Sequence, residues 1–165
     1  MKDKKYILEQ PVIEKKLNRL ALEIIENNIE EKELVFVGIA PNGMVLAEKL
    51  KQIVEKFSCV KIEFLTLSLN KRKPEDVVLN KTMDFKNRVV VIIDDVINSG
   101  KTLLYALKPF LDVYPKKIQT LVLVERTHTR FPVHANYKGF TLATTLQEHI
   151  IVEVEGDEIL GAFLS

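Results

Sequence analysis

Two adjacent carboxylates, Asp94 and Asp95, stand where an apolar run of the sequence ends. The residues before them, VVVII at 89–93, are all β-branched, which is typical of a strand buried on both faces of a parallel sheet. A turn of small and polar residues follows at 97–102. Backbone N–H groups in such a turn bind phosphate, whereas paired carboxylates accept hydrogen bonds from a vicinal diol. The stretch therefore predicts a site for a phosphorylated sugar.

The phosphate-binding part of this predicted site is a turn whose backbone and hydroxyl groups would surround the anion. Its residues are Ile97, Asn98, Ser99, Gly100, Lys101 and Thr102. A second interpretation stays open, in which the two aspartates are a helix cap and a solvated acid. A Walker-type nucleotide loop is disfavoured, because it needs a glycine-bounded loop ahead of the Lys-Ser/Thr pair and the nearest earlier glycine is Gly43.

Alternating strands and helices position these residues. The apolar spacing predicts helices over 11–28, 42–57 and 101–113, and strands over 34–40, 59–69, 88–94 and 117–125. The polar loop 70–81 contains a short strand at 77–79, and 149–154 with 158–164 predicts a hairpin, whereas 126–148 shows no regular pattern. This order predicts an α/β fold, with a mostly parallel sheet, helices on both faces and right-handed crossovers. Ligands bind beyond the carboxyl ends of such strands, where GIAPNG (38–43) and DDVINSGKT (94–102) lie.

The composition narrows the class of protein. With 165 residues the chain suits a single domain, 1–165, and a net charge of +1 gives no electrostatic reason for nucleic acid to be the main partner. Cys59 is the only cysteine, so neither an intrachain disulfide nor a cysteine-cluster metal site is expected. The first residues lack the apolar core of a signal peptide, and no apolar run would span a bilayer. We therefore expect a cytoplasmic protein with no membrane partner.

Three segments carry a resemblance to a known family. VVVIIDDVINSGKTL (89–103) resembles the phosphoribosyl pyrophosphate signature of type I phosphoribosyltransferases, and LVFVGIAPNGMVLAEKL (34–50) is similar to that family's pyrophosphate loop. VERTHTRFPVHANYKGF (124–140) is similar to the base-pocket segment of the pyrimidine operon attenuator/uracil phosphoribosyltransferase subfamily. The resemblance implies the type I phosphoribosyltransferase fold, in which a small hood accompanies a mostly parallel central sheet flanked by helices.

The resemblance also implies a role for each segment. Asp94 and Asp95 would bind the ribose hydroxyls, and the turn 97–102 would bind the 5-phosphate. The pyrophosphate loop would consist of Ala40, Pro41, Asn42 and Gly43. A cis peptide, common in that loop, is least costly before a proline such as Pro41. Asn42 departs from the basic residue that the subfamily usually has, which removes one charged contact to pyrophosphate.

The loop 70–81 corresponds in this resemblance to a flexible flap. Lys71, Arg72 and Lys73 would meet the negative charge of the pyrophosphate, although the same residues could also be a solvated run of charge. The flap is short for the subfamily, and a shorter flap would exclude water from the site less completely. The base pocket implied by the resemblance comprises Arg126, His128, Pro132, Tyr137 and Gly139, and for His128 a surface packing role is the alternative.

The implied reaction transfers ribose 5-phosphate from phosphoribosyl pyrophosphate to a nucleobase. Mg²⁺ would enter through the substrate near Asp94 and Asp95 rather than through direct protein ligands. Asn98 has no titratable proton to exchange with a purine ring, which favours uracil over a 6-oxopurine. Two alternatives stay open: a regulator that binds nucleotide and RNA, with RNA not favoured as a partner, and a purine phosphoribosyltransferase. Family habit implies a homodimer or homotetramer.

Overall fold

The computed structural model describes residues 4–145 and 147–165, and their strands form two sheets. The strands are β1 (Tyr6–Glu9), β2 (Glu33–Ile39), β3 (Lys61–Leu69), β4 (Val77–Leu79), β5 (Val89–Ile97), β6 (Lys117–Arg126), β7 (Tyr137–Leu142), β8 (Ile150–Glu155) and β9 (Glu158–Leu164). The helices are α1 (Gln10–Asn27), α2 (Asn42–Phe57), α3 (Lys101–Ala106) and α4 (Lys108–Leu111).

The larger sheet has the strand order β4-β3-β2-β5-β6-β7, and only β4 runs antiparallel to its neighbour. β5 lies between β2 and β6, and its side chains are buried except for the half-buried Val96. The register pairs Gly38 with Ile93 and Asp94 with Val122. The carboxyl ends of the central strands therefore meet at the acid pair, and the predicted mostly parallel α/β fold is confirmed.

Helices cover both faces of this sheet, as the sequence predicts. On one face α1 and α2 bury leucines such as Leu20 and Leu50 against Phe36 and Val91. On the other face α3 and α4 bury Leu103 and Phe110 against a separate set of strand residues. Alternate residues of β5 belong to the two cores, because successive side chains of a strand point to opposite faces. None of the helices within the described ranges is long and apolar enough to cross a membrane.

The smaller sheet, with the order β1-β9-β8, is antiparallel and forms the hood. β8 and β9 are the predicted hairpin, and β1 adds to it through pairs such as Leu8 with Ala162. Buried hood residues, Ile150 and Val152 among them, belong to the same core as α1 and α2. The hood therefore shares a continuous apolar interior with one face of the larger sheet.

Three elements differ from the prediction. β1 and β7 are strands that the sequence pattern does not show, because Lys138, Gly139 and the charged start of the chain obscure the alternation. The predicted helix 101–113 is two shorter helices, since Pro109 begins a new segment after Leu107. The short strand within the loop 70–81 is present, at the predicted residues.

Candidate active site

The acid pair lies at the end of β5 and is almost fully buried, with Asp94 1% and Asp95 5% exposed. The backbone N–H of Asp95 donates to Oδ1 of Asp94 at 2.9 Å. Burial, and then the negative charge of Asp95, raises the pKa of Asp94 well above its ordinary value. The two carboxylates are therefore held close together in a place where two negative charges are unfavourable without a cation or a hydrogen-bond donor.

The loop after β2 comes directly against this pair. The Ala40–Pro41 peptide is cis, and α2 begins at Asn42, whose Nδ2 donates to Oδ2 of Asp95 at 2.9 Å. A Cβ added to Gly43 would stand 2.6 Å from the carbonyl oxygen of Ile93, closer than side-chain carbons approach. Glycine is therefore required for α2 to start this close to β5. The structure thus brings the predicted pyrophosphate loop beside the acid pair.

The turn after β5 forms one wall of a small pocket of about 100 Å³. Gly100 has a φ of 86°, a left-handed conformation that glycine adopts without strain. The carbonyl oxygen of Ser99 accepts hydrogen bonds from the backbone N–H groups of Arg130 and Phe131, both at 3.1 Å. The lining residues are Lys71, Asp94, Val96, Ile97, Asn98, Ser99, Gly100, Thr102 and Leu103. The pocket therefore brings together predicted sugar, phosphate and flap residues, but the predicted residues Asp95, Lys101 and Arg72 do not line it.

The flap loop is folded towards this pocket. Lys71 Nζ lies 3.7 Å from Oδ1 of Asp94. From α3, Lys101 Nζ donates to the carbonyl oxygen of Arg72 at 3.3 Å, and from α4, Lys108 Nζ donates to that of Glu75 at 3.1 Å. The Lys101 ammonium is thus directed at the flap rather than into the turn that surrounds the pocket. Two lysines hold the backbone of the flap, and a third reaches the acid pair.

The predicted base-pocket residues do not all come together. Arg126 is buried at the end of β6 and donates to the carbonyl oxygen of Thr145 at 2.7 Å, while His128 is exposed in the loop that follows. Tyr137 pairs with Leu121, at the opposite end of the β6–β7 pairing from Arg126, and Nδ2 of Asn28 lies 3.5 Å from its hydroxyl oxygen. Tyr137 therefore lies in the core beneath α1 and away from Arg126, and its contact with a base stays a prediction.

The other two predicted pocket residues are also spread apart. Pro132 is exposed in the loop after β6. Gly139 is buried in β7, where an added Cβ would stand 2.6 Å from the carbonyl oxygen of Leu123. The carbonyl oxygen of Gly139 accepts hydrogen bonds from Lys16 and Arg19 of α1. Its position is explained by packing of β7 on β6 and under α1. Arg126 directly follows Glu125, the residue of β6 that pairs with Ile97 at the start of the turn after β5.

Two side-chain roles were missed by reasoning from the sequence. Asn98, predicted only as part of the phosphate turn, exchanges hydrogen bonds with the backbone of Ile150 in the hood. Glu125 is 2% exposed and accepts hydrogen bonds from the backbone N–H of Ala135 and from Lys138 Nζ, both at 2.7 Å. A carboxylate at the end of the apolar run LVLVE was the available signal for Glu125, because a buried charge needs partners. No comparable signal points from Asn98 to a residue far along the chain.

Comparison with known proteins shows which family has this arrangement. The family model described as "Phosphoribosyl transferase domain" matches residues 3–158. The chain belongs to the phosphoribosyltransferase family. Among curated relatives, this phosphoribosyltransferase is 35% identical over 162 residues to the "Bifunctional protein PyrR" of Macrococcus caseolyticus, with 93% of each chain covered. It is 36% identical over 170 residues to the protein of the same name from Pelotomaculum thermopropionicum, covering 95% of this chain and 94% of the relative. It is therefore a PyrR-like type I phosphoribosyltransferase.

Solved structures of phosphoribosyltransferases share the fold. A hypoxanthine-guanine phosphoribosyltransferase from Bacillus anthracis superimposes with a TM-score of 0.78 at 20% identity, covering 96% of both chains. The hypoxanthine phosphoribosyltransferase of Trypanosoma cruzi gives a TM-score of 0.81 at 15% identity, covering 98% of this chain and 97% of the other. At these identities the likeness concerns the architecture, and the base that this phosphoribosyltransferase uses must be argued from its own residues.

Proposed function

We propose that this phosphoribosyltransferase transfers ribose 5-phosphate from phosphoribosyl pyrophosphate to uracil, giving uridine monophosphate and pyrophosphate. The observation that carries the proposal is that one pocket is lined by the acid residue Asp94, the turn 97–100 with Thr102, and the flap residue Lys71. Carboxylates suit a sugar diol, and hydroxyls with backbone N–H groups suit a phosphate. A cation on a loop suits a diphosphate leaving group. We further propose a homodimer or homotetramer in the cytoplasm.

Asp95 supports the binding of a ribose diol. Its Oδ2 accepts from Asn42, whereas its Oδ1 is buried without a hydrogen-bond partner among the described residues. A buried carboxylate oxygen without a donor is unfavourable, so the site gains stability when a hydroxyl arrives. The 2′ and 3′ hydroxyls of ribose supply two such donors. Asp94, the preceding residue of β5, lines the pocket and supplies the second carboxylate.

The same donor set fits Mg²⁺ bound through the substrate. Magnesium prefers oxygen ligands and uses one or two carboxylates together with substrate phosphates. Asp94 lines the pocket and Asp95 follows it in β5, so carboxylate charge lies near the place where a substrate-bound ion would be held. When bound, the ion would neutralise charge on the diphosphate. Asp94 and Asp95 would hold the ribose hydroxyls that face it.

In the proposed reaction a ring nitrogen of the base forms a bond to C1 of the ribose. The bond from C1 to the pyrophosphate oxygen breaks, and the nitrogen loses its proton. Positive charge develops on the sugar as the leaving group departs, and the carboxylates of Asp94 and Asp95 favour that charge. Lys71 would move from Asp94 to the departing pyrophosphate, and the flap would exclude water. No covalent intermediate with the protein is required.

Asn98 supports a pyrimidine rather than a purine as the acceptor. Its amide cannot exchange a proton with a purine ring, and both of its polar atoms are already bonded to Ile150. A second candidate function is regulation through RNA, supported by the word "bifunctional" in the names of the relatives. The near-neutral charge of +1 does not favour it as the main activity.

The test is pyrophosphate release by the purified protein with phosphoribosyl pyrophosphate and Mg²⁺, across uracil, hypoxanthine, guanine, xanthine and orotate. The double variant Asp94→Asn/Asp95→Asn is measured beside it. We expect release with uracil and its loss in the variant. Release with a purine alone would keep the enzyme class and overturn the assignment of the base. Binding of phosphoribosyl pyrophosphate without release for any base would favour the regulatory function.

A further inference from the structure

The outer edge of the hood sheet faces the active site. β8 pairs with β9 on one side only, and His149 and Ser165 exchange backbone hydrogen bonds at 2.9 Å where the pairing begins. Hydrogen-bonding residues alternate along an antiparallel strand, so Ile150 and Val152 direct their N–H and C=O groups to the other side. That side is an open strand edge, and such edges need partners.

Two asparagine side chains supply these partners. Asn98 donates from Nδ2 to the carbonyl oxygen of Ile150 at 3.1 Å and accepts at Oδ1 from the N–H of the same residue at 3.1 Å. Asn42 donates from Nδ2 to the carbonyl oxygen of Val152 at 3.1 Å, and the same nitrogen reaches Asp95. Asn98 thus contacts β8 in the way that a neighbouring strand would, with one donor and one acceptor on a single residue.

We infer that Asn98 is a positioning residue that fixes the hood strand β8 against the catalytic end of β5. This inference rests on the proposed function, because it says how the hood is set at a defined distance from the phosphate turn. Asn98 lies in that turn, and its partner Ile150 is part of the buried core of the hood. Because Ile150 engages both polar atoms of its amide, Asn98 holds β8 beside the site and does not bind the base.

The chemistry of the amide makes this role specific. Ile150 presents a donor and an acceptor side by side, and an amide complements both. An ionised carboxylate at position 98 has only acceptors, so it would bond to the N–H and repel the carbonyl oxygen. A protonated carboxyl group has one donor and one acceptor and could restore both contacts. Asn98→Asp should therefore hold β8 at low pH and release it at high pH.

Other ionisable groups surround this contact. Asp94 and Lys71 line the same pocket, Asp95 is joined to β8 through Asn42, and His149 directly precedes Ile150. All of these groups are present in the wild-type protein as well. The ratio of variant to wild-type activity at each pH therefore isolates the group at position 98.

The experiment compares wild type, Asn98→Asp, Asn98→Ala and, as a milder truncation, Asn98→Ser, with Asn18→Asp as the matched control. Asn18 is exposed on α1 and donates to a carbonyl oxygen within the same helix. The measurements are kcat and KM with the acceptor base, and amide hydrogen exchange of 150–154 in the free protein, at about pH 4 and about pH 8.5, which lie near and well above the ordinary pKa of an aspartate. If Asn98→Ala does not fold, Asn98→Ser takes its place.

We expect Asn98→Asp to lose about tenfold in kcat/KM relative to wild type at the higher pH, and to recover part of it at the lower pH, where an ordinary carboxyl group is about half protonated. Exchange of 150–154 should accelerate by about the same factor and recover in parallel. Asn98→Ala should be impaired at both values and Asn18→Asp at neither. Equal impairment of Asn98→Asp at both pH values, or unchanged exchange in every variant, would overturn the inference. Amide hydrogen exchange does not depend on turnover, so it tests this inference even if no base supports pyrophosphate release.

Discussion

Lys71 Nζ lies 3.7 Å from Asp94 Oδ1, and this contact joins the flap to the buried acid pair. The lysine side chain is 43% exposed and the aspartate side chain 2%, so a partly exposed cation faces a buried carboxylate. The charge of Lys71 lowers the pKa of Asp94, against the larger effects of burial and of Asp95 that raise it. The flap lysine is therefore the nearest source of positive charge for the acid pair and for an arriving diphosphate.

Replacement of this lysine should affect catalysis more than its exposure suggests. Lys71→Ala removes the positive charge proposed to meet the leaving pyrophosphate. We expect kcat/KM for phosphoribosyl pyrophosphate to fall by about ten- to a hundredfold. Lys86→Ala is the matched control, because Lys86 is an exposed lysine outside the flap. Steady-state kinetics of both variants decide the matter, and equal rates for the two would exclude the role of Lys71.

The acid pair should make the protein less stable as pH rises. The pKa of Asp94 is raised in the folded protein, so the folded state binds a proton more tightly than the unfolded chain. The stability that this proton confers is complete below the ordinary carboxyl pKa and is lost as pH rises through the raised value. Asp94→Asn keeps an acceptor for the Asp95 N–H and removes the charge. We expect it to increase the free energy of unfolding at neutral pH by about 1 kcal/mol or more.

Urea denaturation over a series of pH values measures this effect. The difference between Asp94→Asn and wild type should grow from near zero at acid pH towards neutrality. Asp157→Asn, in the exposed turn between β8 and β9, should track wild type throughout. A difference that did not depend on pH would show that the carboxylate of Asp94 is not held in an unfavourable charged state. If Asp94→Asn were more stable but lost activity, the Asp94 carboxylate would be a group that lowers the stability of the protein and is needed for its activity.

The close contact at Gly43 predicts a local defect. Gly43→Ala places a methyl group 2.6 Å from the carbonyl oxygen of Ile93 and 3.3 Å from Oδ1 of Asp94. The start of α2 must then move away from β5, which should lower kcat/KM by about tenfold or more and destabilise the protein by about 1–3 kcal/mol. Kinetics and thermal unfolding test both effects.

A second glycine serves as the control for that variant. Gly156 has a φ of 58° but no neighbour within 4 Å of an added Cβ. Gly156→Ala should therefore cost about 1 kcal/mol through backbone strain, and its kcat/KM should stay near wild type. If both variants lost activity in proportion to their stability, the packing of Gly43 against Asp94 would have no specific role.

Glu125 should organise the loop between β6 and β7. Its carboxylate accepts from the backbone N–H of Ala135 and from Lys138, and His134 Nδ1 lies 3.6 Å away. Glu125→Gln keeps the shape but loses the charge that pairs with Lys138, and we expect a loss of about 1–3 kcal/mol in unfolding free energy. Glu155→Gln, an exposed change in β8, should leave stability unchanged. Chemical denaturation of the two variants provides the comparison.

The sequence predicted those parts of the site whose conformation depends on residues close to one another in the chain. The apolar run 89–93, the two aspartates and the turn after them lie within one strand and its exit, so their neighbours along the chain determine their conformation. The same holds for the loop after β2, and the flap strand was found from its own three residues. Parallel pairing then brings the strand ends together by a general rule.

What the sequence did not predict depends on contacts between distant residues. β1 is a strand because β9 lies beside it, and the pattern of Tyr6–Glu9 alone does not require one. Tyr137 belongs to a strand whose register with β6 places it at the opposite end from Arg126. The pairing of Asn98 with Ile150 joins residues that no periodicity connects. Periodicity along a chain carries no information about which distant edge a polar side chain will meet.

The hood has a consequence for the order in which the protein folds. β1 and β9 come from opposite ends of the described chain, and their pairing closes a loop that contains the whole larger sheet. Closing so long a loop is entropically unfavourable, and contacts of this kind tend to form late. The parallel sheet with its helices should therefore assemble first, leaving the phosphate turn formed but uncovered. During refolding, such a chain would form the turn of its proposed phosphate site before the hood covers it.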